Sequence, residues 1–210
     1  MKSLIDIRSS TITSRFFQLG SNILLALIFS LAVIYLSKQY FIKGQLSIIF
    51  NIVFYSLSVV YVLVRKPATK VDLNLFSWLF TFGGIALPML MLPKGTHEFR
   101  IGYFLQISGI AISITGLLSL NRSFGLVAAH RGIVSSGLYR FIRHPLYFSY
   151  ELSMVGFIIN NFSLYNISLW LINICCQLQR IKYEEELLNG DEAYRVYAAK
   201  TRWRLIPFVY

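Results

Sequence analysis

Leu46-Ser47-Ile48-Ile49-Phe50-Asn51-Ile52-Val53-Phe54-Tyr55-Ser56-Leu57-Ser58-Val59-Val60-Tyr61-Val62-Leu63-Val64 runs without one charged side chain between Gly44 and Arg65. A helix of about 20 such residues covers a hydrocarbon layer roughly 30 Å thick. Phe16–Ser37, Leu73–Leu92 and Ile101–Leu120 have the same character, each bounded by charged or turn residues. Two shorter apolar segments, about Leu146–Ile159 and Leu164–Leu178, flank the polar turn Asn160-Asn161-Phe162-Ser163. They read as a tight helical hairpin leading into an amphipathic helix from about Gln179 to Lys200. The expected fold is all-α and polytopic, with about five to six transmembrane helices. Residues 1–120 form the scaffold and acceptor access, and residues 121–210 the chemical core.

Composition agrees: 56% of the 210 residues are hydrophobic and 14% charged, far below the roughly 25% of soluble domains. The net charge of +11 comes from basic residues scattered through short loops, which suits anionic lipid headgroups and argues against nucleic acid. The first apolar run is too long for the core of a cleavable signal peptide. Cys175 and Cys176 are adjacent within an apolar run and fit neither a disulfide framework nor a zinc motif, and the histidines are spaced too widely for a metal site.

Loop lysines and arginines set the orientation. On a six-crossing path Lys2, Arg8, Arg15, Arg65, Lys66, Lys70, Arg122, Arg131, Arg140 and Arg143 share one side, against Lys38, Lys43, Lys94 and Arg100 on the other. The richer side is expected to be cytoplasmic and to hold both termini, the 121–143 loop and the segment from Gln179 onward.

The chemistry concentrates on that side. In Gly137-Leu138-Tyr139-Arg140-Phe141-Ile142-Arg143-His144-Pro145-Leu146-Tyr147, Pro145 suits the first turn of a helix and His144 its cap. Arg180 and Glu184 stand four apart, so they either form a surface ion pair or face a polar cavity at the membrane edge. Glu151, inside an apolar segment, raises the same question. Tyr194, Tyr197 and Trp203 read as anchors at headgroup depth on an interfacial helix, with Arg202 and Arg204 binding lipid phosphate or closing over a ligand.

The order Gly-x-Tyr, Arg-His-Pro-x-Tyr, apolar hairpin, Arg-x-x-x-Glu-Glu, Tyr-x-x-Tyr and late Pro resembles the isoprenylcysteine carboxyl methyltransferase family, grouped with phospholipid methyltransferases. Here it is carried by Gly137, Tyr139, Arg143 to Tyr147, Arg180, Glu184, Glu185, Tyr194, Tyr197 and Pro207. Ser123-Phe124-Gly125 and Arg204-Leu205-Ile206-Pro207 make it most similar to the bacterial branch, which would place it in the inner membrane. Asn189-Gly190-Asp191 departs from the Phe-Gly of better-known members.

The resemblance implies S-adenosyl-L-methionine as methyl donor, held by Ile133, Val134, Tyr139, His144, Pro145, Leu146, Tyr147 and Glu184. Arg180 would face the acceptor, with Glu151 as a further acceptor contact, and Arg180, Glu184 and Glu185 would serve catalysis. The acceptor is lipid-like or apolar: a prenylcysteine-type carboxylate, a lipid amine, or a small thiol or acid. A carboxylate would need only orientation, and an amine would need a base among Glu184, Glu185 and Glu151. The alternative is a non-methyltransferase relative on the same scaffold, reductase-like or accessory. A transporter fits poorly, as no repeat is visible and no charge lies within the first four runs.

Cysteines introduced at Ser135 and Asn189 are expected to react with an impermeant maleimide from the same side of the membrane. Labelling from opposite sides would overturn this topology.

Overall fold

A computed structural model describes residues 4–6, 12–44, 46–92 and 99–210. Lys2, Arg8 and Lys94, used above for orientation, lie outside them. In the described residues seven α-helices dominate: α1 (Ile12–Lys43), α2 (Leu46–Val64), α3 (Leu75–Met89), α4 (Arg100–Leu120), α5 (Pro145–Asn160), α6 (Leu164–Leu188) and α7 (Glu192–Lys200). Within α1 and α4, Leu19–Ile42 and Arg100–Ser123 are long and apolar enough to cross a membrane; Ile48–Val64 and Leu75–Met89 are shorter apolar helices. Leu19, Leu24, Leu27 and Leu31 of α1 point outward and exposed, as an apolar solvent would require.

The all-α expectation needs one addition. Strands β1 (Leu4–Asp6), β2 (Lys70–Asp72) and β3 (Ala129–His130) form a small antiparallel sheet in that order. Strands of two or three residues are too short to show the alternation by which strands are read from sequence. The sheet ties the N-terminal segment, the α2–α3 connection and the 121–143 loop to one end of the bundle. The Lys66 amide donates to the Arg122 carbonyl at 2.7 Å, and the His130 ring meets the Asp191 carboxylate at 2.7 Å, adding the α6–α7 turn. The opposite end is stitched by asparagines: Asn160 accepts from the Phe99 amide, and Asn166 bonds both the amide and the carbonyl of Leu92.

The C-terminal region departs from expectation in two ways. Although α5 and α6 are joined by Asn161–Ser163, α5 packs chiefly on α4 and α6 on α3, so they do not form a tight hairpin. Small residues decide this, because they let backbones approach where no hydrophobic force between helices exists in lipid. A Cβ on Gly109 would stand 2.7 Å from the Ser149 carbonyl, and one on Gly102 would stand 2.8 Å from that of Gly156. Nor does one amphipathic helix cover Gln179–Lys200. Helix α6 runs on to Leu188, Asn189-Gly190 turns the chain, and Asp191 caps α7 by accepting from the Ala193 amide. Of the adjacent cysteines, Cys176 is buried and Cys175 is exposed.

Replacing Gly109 by Val should force α4 and α5 apart and cost about 1–3 kcal/mol, a fall of roughly 3–10 °C in Tm measured in detergent. Gly20, whose added Cβ would meet nothing within 4 Å, is the control. Equal Tm for both variants would refute this account of the α4–α5 seam.

Candidate active site

The site begins at Gly137, whose φ of +60° suits glycine. From there a 3-10 turn over Gly137–Arg140 carries Tyr139 into the interior, where its carbonyl accepts from the Tyr197 hydroxyl at 2.7 Å. Two residues beyond that turn, the chain pairs with the C-terminal segment, the amides of Arg143 and His144 donating to the carbonyls of Trp203 and Arg204. His144 is the N-cap of α5 with Pro145 in its first turn; its ring makes no capping bond and turns to α6 instead.

There it meets Glu185. One carboxylate oxygen accepts from Arg143 Nε at 2.8 Å and lies 3.1 Å from His144 Nε2; the other accepts from Arg204 Nε at 2.8 Å. The Glu185 side chain is 6% exposed. Burial alone would push its carboxyl up; the His144 hydrogen bond and the charges of His144, Arg143 and Arg204 outweigh burial and hold it at about 2. Both oxygens are thus engaged, and Glu185 is not among the residues that line the cavity beside it. Arg204, expected to bind lipid phosphate or a ligand, is likewise engaged, with Glu185 and with the Tyr210 hydroxyl.

The neighbouring Glu184 does line that cavity, with Ile133, Val134, Tyr139, His144, Leu146, Tyr147 and Arg180. Pro145 is fully buried behind them. Glu184 accepts from the Tyr147 hydroxyl at 3.0 Å. Arg180 does not pair with it: Nη1 donates to Gln177 Oε1 at 2.8 Å, Nη2 to the Leu126 carbonyl at 3.1 Å, and the guanidinium stacks 5.0 Å from the Tyr147 ring centre. The surface ion pair that i, i+4 spacing offers is therefore not made. Glu151, the expected acceptor contact, lines neither this cavity nor the next; one oxygen accepts from Trp170 Nε1 at 2.9 Å.

Sequence reading missed Tyr150, Arg131, Tyr194 and Tyr197 as cavity walls. The last two, expected at headgroup depth, are buried; their three-residue spacing on α7 was the available signal. Burial, then the charge of Glu184, pushes the Tyr139 phenol up; burial followed by the Glu185 and Glu184 charges does the same for Tyr194. These phenols stay protonated and form cavity walls, and the Tyr194 hydroxyl is buried without a hydrogen-bond partner.

A second, roomier cavity of about 670 Å³, against about 100 Å³ for the first, extends among α1 to α6 toward Asn160. The two share Phe124, Leu126, Tyr150 and Arg180, and among the described residues Arg180 is the only charged one lining the second. Pro88 explains part of its polar wall. Lacking an N–H, it leaves the Gly84 carbonyl one turn earlier without its helical donor, and Asn173 and Gln177 supply replacements at 3.1 and 3.5 Å.

Residues 103–190 match the isoprenylcysteine carboxyl methyltransferase (ICMT) family. This is the family that the motif order resembles, and the match supports a membrane methyltransferase. The ICMT stretch runs from α4 to the α6–α7 turn and contains most of the first cavity's wall; Tyr194 and Tyr197 lie beyond it. No curated protein matches the chain.

With its carboxyl held at about 2 in the fold against an ordinary 4.5, Glu185 stabilises the fold fully above about pH 4.5, and that contribution, about 3 kcal/mol, is lost as pH falls toward 2. Glu185→Gln should lower Tm at neutral pH, with the gap from wild type narrowing as pH is taken from about 6 to about 3. A constant gap would contradict this role.

Proposed function

We propose that the protein is an S-adenosylmethionine-dependent membrane methyltransferase whose acceptor is an apolar molecule ending in a carboxylate. The observation that carries this is Arg180, shared by a polar-walled cavity and a large chamber in which, among the described residues, it is the only charged side chain.

The first cavity suits the cofactor by the chemistry of its walls. The donor has a sulfonium, an ammonium, a carboxylate and a base. Tyr147, Tyr150 and Tyr194 offer aromatic faces for a cation, and Glu184 offers an acid. Ile133, Val134, Leu146 and Tyr139 close the apolar side, with His144 held by Glu185 at the floor. Bound there, the cofactor supplies an electrophilic methyl group. Transfer of that methyl to an acceptor oxygen would leave the electron pair of the broken bond on sulfur, and Arg180 would hold the acceptor carboxylate while Glu184 and the tyrosines held the donor.

The protein's own work is alignment and exclusion of water. Arg180 has an Nε buried without a hydrogen-bond partner, a donor left over after Gln177 and Leu126 are served. A carboxylate in the chamber would satisfy it, and would arrive already a nucleophile. An amine would need a base, and among the described residues the chamber is lined by no Asp, Glu, His, Lys or Cys; Glu184, on the adjoining cavity, accepts from the Tyr147 hydroxyl. The chamber's walls suit an acceptor arriving from the bilayer, while the basic-rich end with the sheet faces the cytoplasm. On this reading α1 to α4 line the acceptor chamber as well as forming a scaffold, and the bundle crosses the membrane five or six times.

Arg180→Ala should retain cofactor affinity within about threefold while losing most of the single-turnover rate, and Lys should rescue poorly because a planar fork is not a point charge. Glu184→Ala should weaken cofactor binding about ten- to a hundredfold, the loss of one charge-assisted contact. If both variants keep both quantities within about twofold, the site is misassigned.

A further inference from the structure

Among the described residues three arginines line the first cavity, and they differ in what they already hold. Arg143 is spent on Glu185 and on the carbonyls of Ala198, Thr201 and Arg202. Arg180 stacks on Tyr147 and belongs to the junction with the apolar chamber. Arg131 alone has two guanidinium nitrogens, Nε and Nη1, shielded from water with no hydrogen-bond partner. Each such buried donor is destabilising unless something accepts from it.

The surroundings of Arg131 are cationic. Burial, then the charge of the neighbouring Arg65, lowers the Arg131 guanidinium to about 10. Arg65 is itself turned away, donating to Asn22 Oδ1 at 2.8 Å and Ser21 Oγ at 3.4 Å. Lys66 reaches the same corner, its Nζ 4.0 Å from where a Cβ on Gly132 would lie. Among the described residues no carboxylate forms an ion pair with Arg131. Gly125 of the Ser123-Phe124-Gly125 stretch lies over the guanidinium, an added Cβ there standing 3.7 Å from Cζ, and Ser123 donates to the Arg131 carbonyl at 3.2 Å. The arginine is thus held in a fixed backbone cradle on a cavity wall, two residues before Ile133, with its donors unmet. A guanidinium in that state is built for a planar anion that enters the cavity.

We propose that Arg131 binds the α-carboxylate of the cofactor's amino-acid moiety and makes the site selective for a carboxylate-bearing donor. This rests on the methyltransferase reading above. Arg131 and Glu184 then serve opposite charges of one ligand from different walls of the cavity, and Arg180 is left to the acceptor.

The test is calorimetry in detergent on the full chain, with S-adenosylmethionine and its decarboxylated form, S-adenosyl-3-methylthiopropylamine, as probes. Wild type should prefer the carboxylate-bearing probe by about ten- to a hundredfold, and Arg131→Met should abolish that preference by weakening S-adenosylmethionine alone. Arg131→Gln should behave as Met does, and Arg131→Lys should keep part of the preference. Equal weakening of both probes by Met and Gln would make Arg131 a structural residue and overturn the proposal. So would unchanged affinity for both, which would leave the guanidinium to lipid phosphate. If wild type binds neither probe, the cofactor reading fails and this inference with it; if it binds both and only the discrimination is absent, the cofactor reading stands and this inference alone is lost.

Discussion

A buried carboxylate bonded to two arginines and a histidine holds this site together. Glu185 sits near the end of α6, Arg143 and His144 at the start of α5, and Arg204 in the C-terminal segment. Ions taken out of water are expensive, and their attraction compensates only when geometry and hydrogen bonding are good. Here each oxygen has an arginine at 2.8 Å, and Arg143 spends its remaining donors on carbonyls that close the last turn of α7. The cluster fixes where α5 starts relative to α6, and hence sets Tyr147 against Glu184 and Arg180 against Tyr147. Removing Glu185 would leave the Arg143 guanidinium without its carboxylate in a poorly solvated place.

Above that floor, helix packing by small residues leaves space between α4–α5 and α3–α6. The proline in α3 turns a backbone defect into part of the chamber wall, because Asn173 and Gln177 bond the carbonyl it frees. Gln177 in turn receives Arg180, so the side chain we assign to the acceptor is oriented by the same chain of contacts that repairs α3. An added Cβ on Gly84 would stand 3.0 Å from Arg180 Nη1, so the close approach of α3 helps fix the guanidinium.

Much of this was legible in the sequence because membrane helices announce themselves by composition. The run Leu46–Val64 was read with the bounds that α2 has, and the cap at His144-Pro145 fell where α5 begins. The partners of the charged residues were not legible. Glu184 and Glu185 are adjacent on one helix and look interchangeable, yet the 100° between them sends one to the cavity and the other to the cluster. Glu151 looked like a charge that needed a function, and the Trp170 indole, nineteen residues on, meets one of its oxygens while the other is buried without a partner. The sheet escaped because its strands are too short to carry a period, and the role of Arg131 because an unmet donor is visible only once its neighbours are placed.

The central claim is that a carboxylate at the end of an apolar body meets the methyl donor beside Arg180. Its most direct test is transfer of radiolabelled methyl from S-adenosylmethionine to acceptors that share one prenyl-type tail and end in a carboxylate, a primary amide or a primary amine. The account predicts label on the carboxylate alone, released as volatile methanol on mild alkaline hydrolysis, as a methyl ester requires. Alkali-stable label on the amine, with none on the carboxylate, would contradict it.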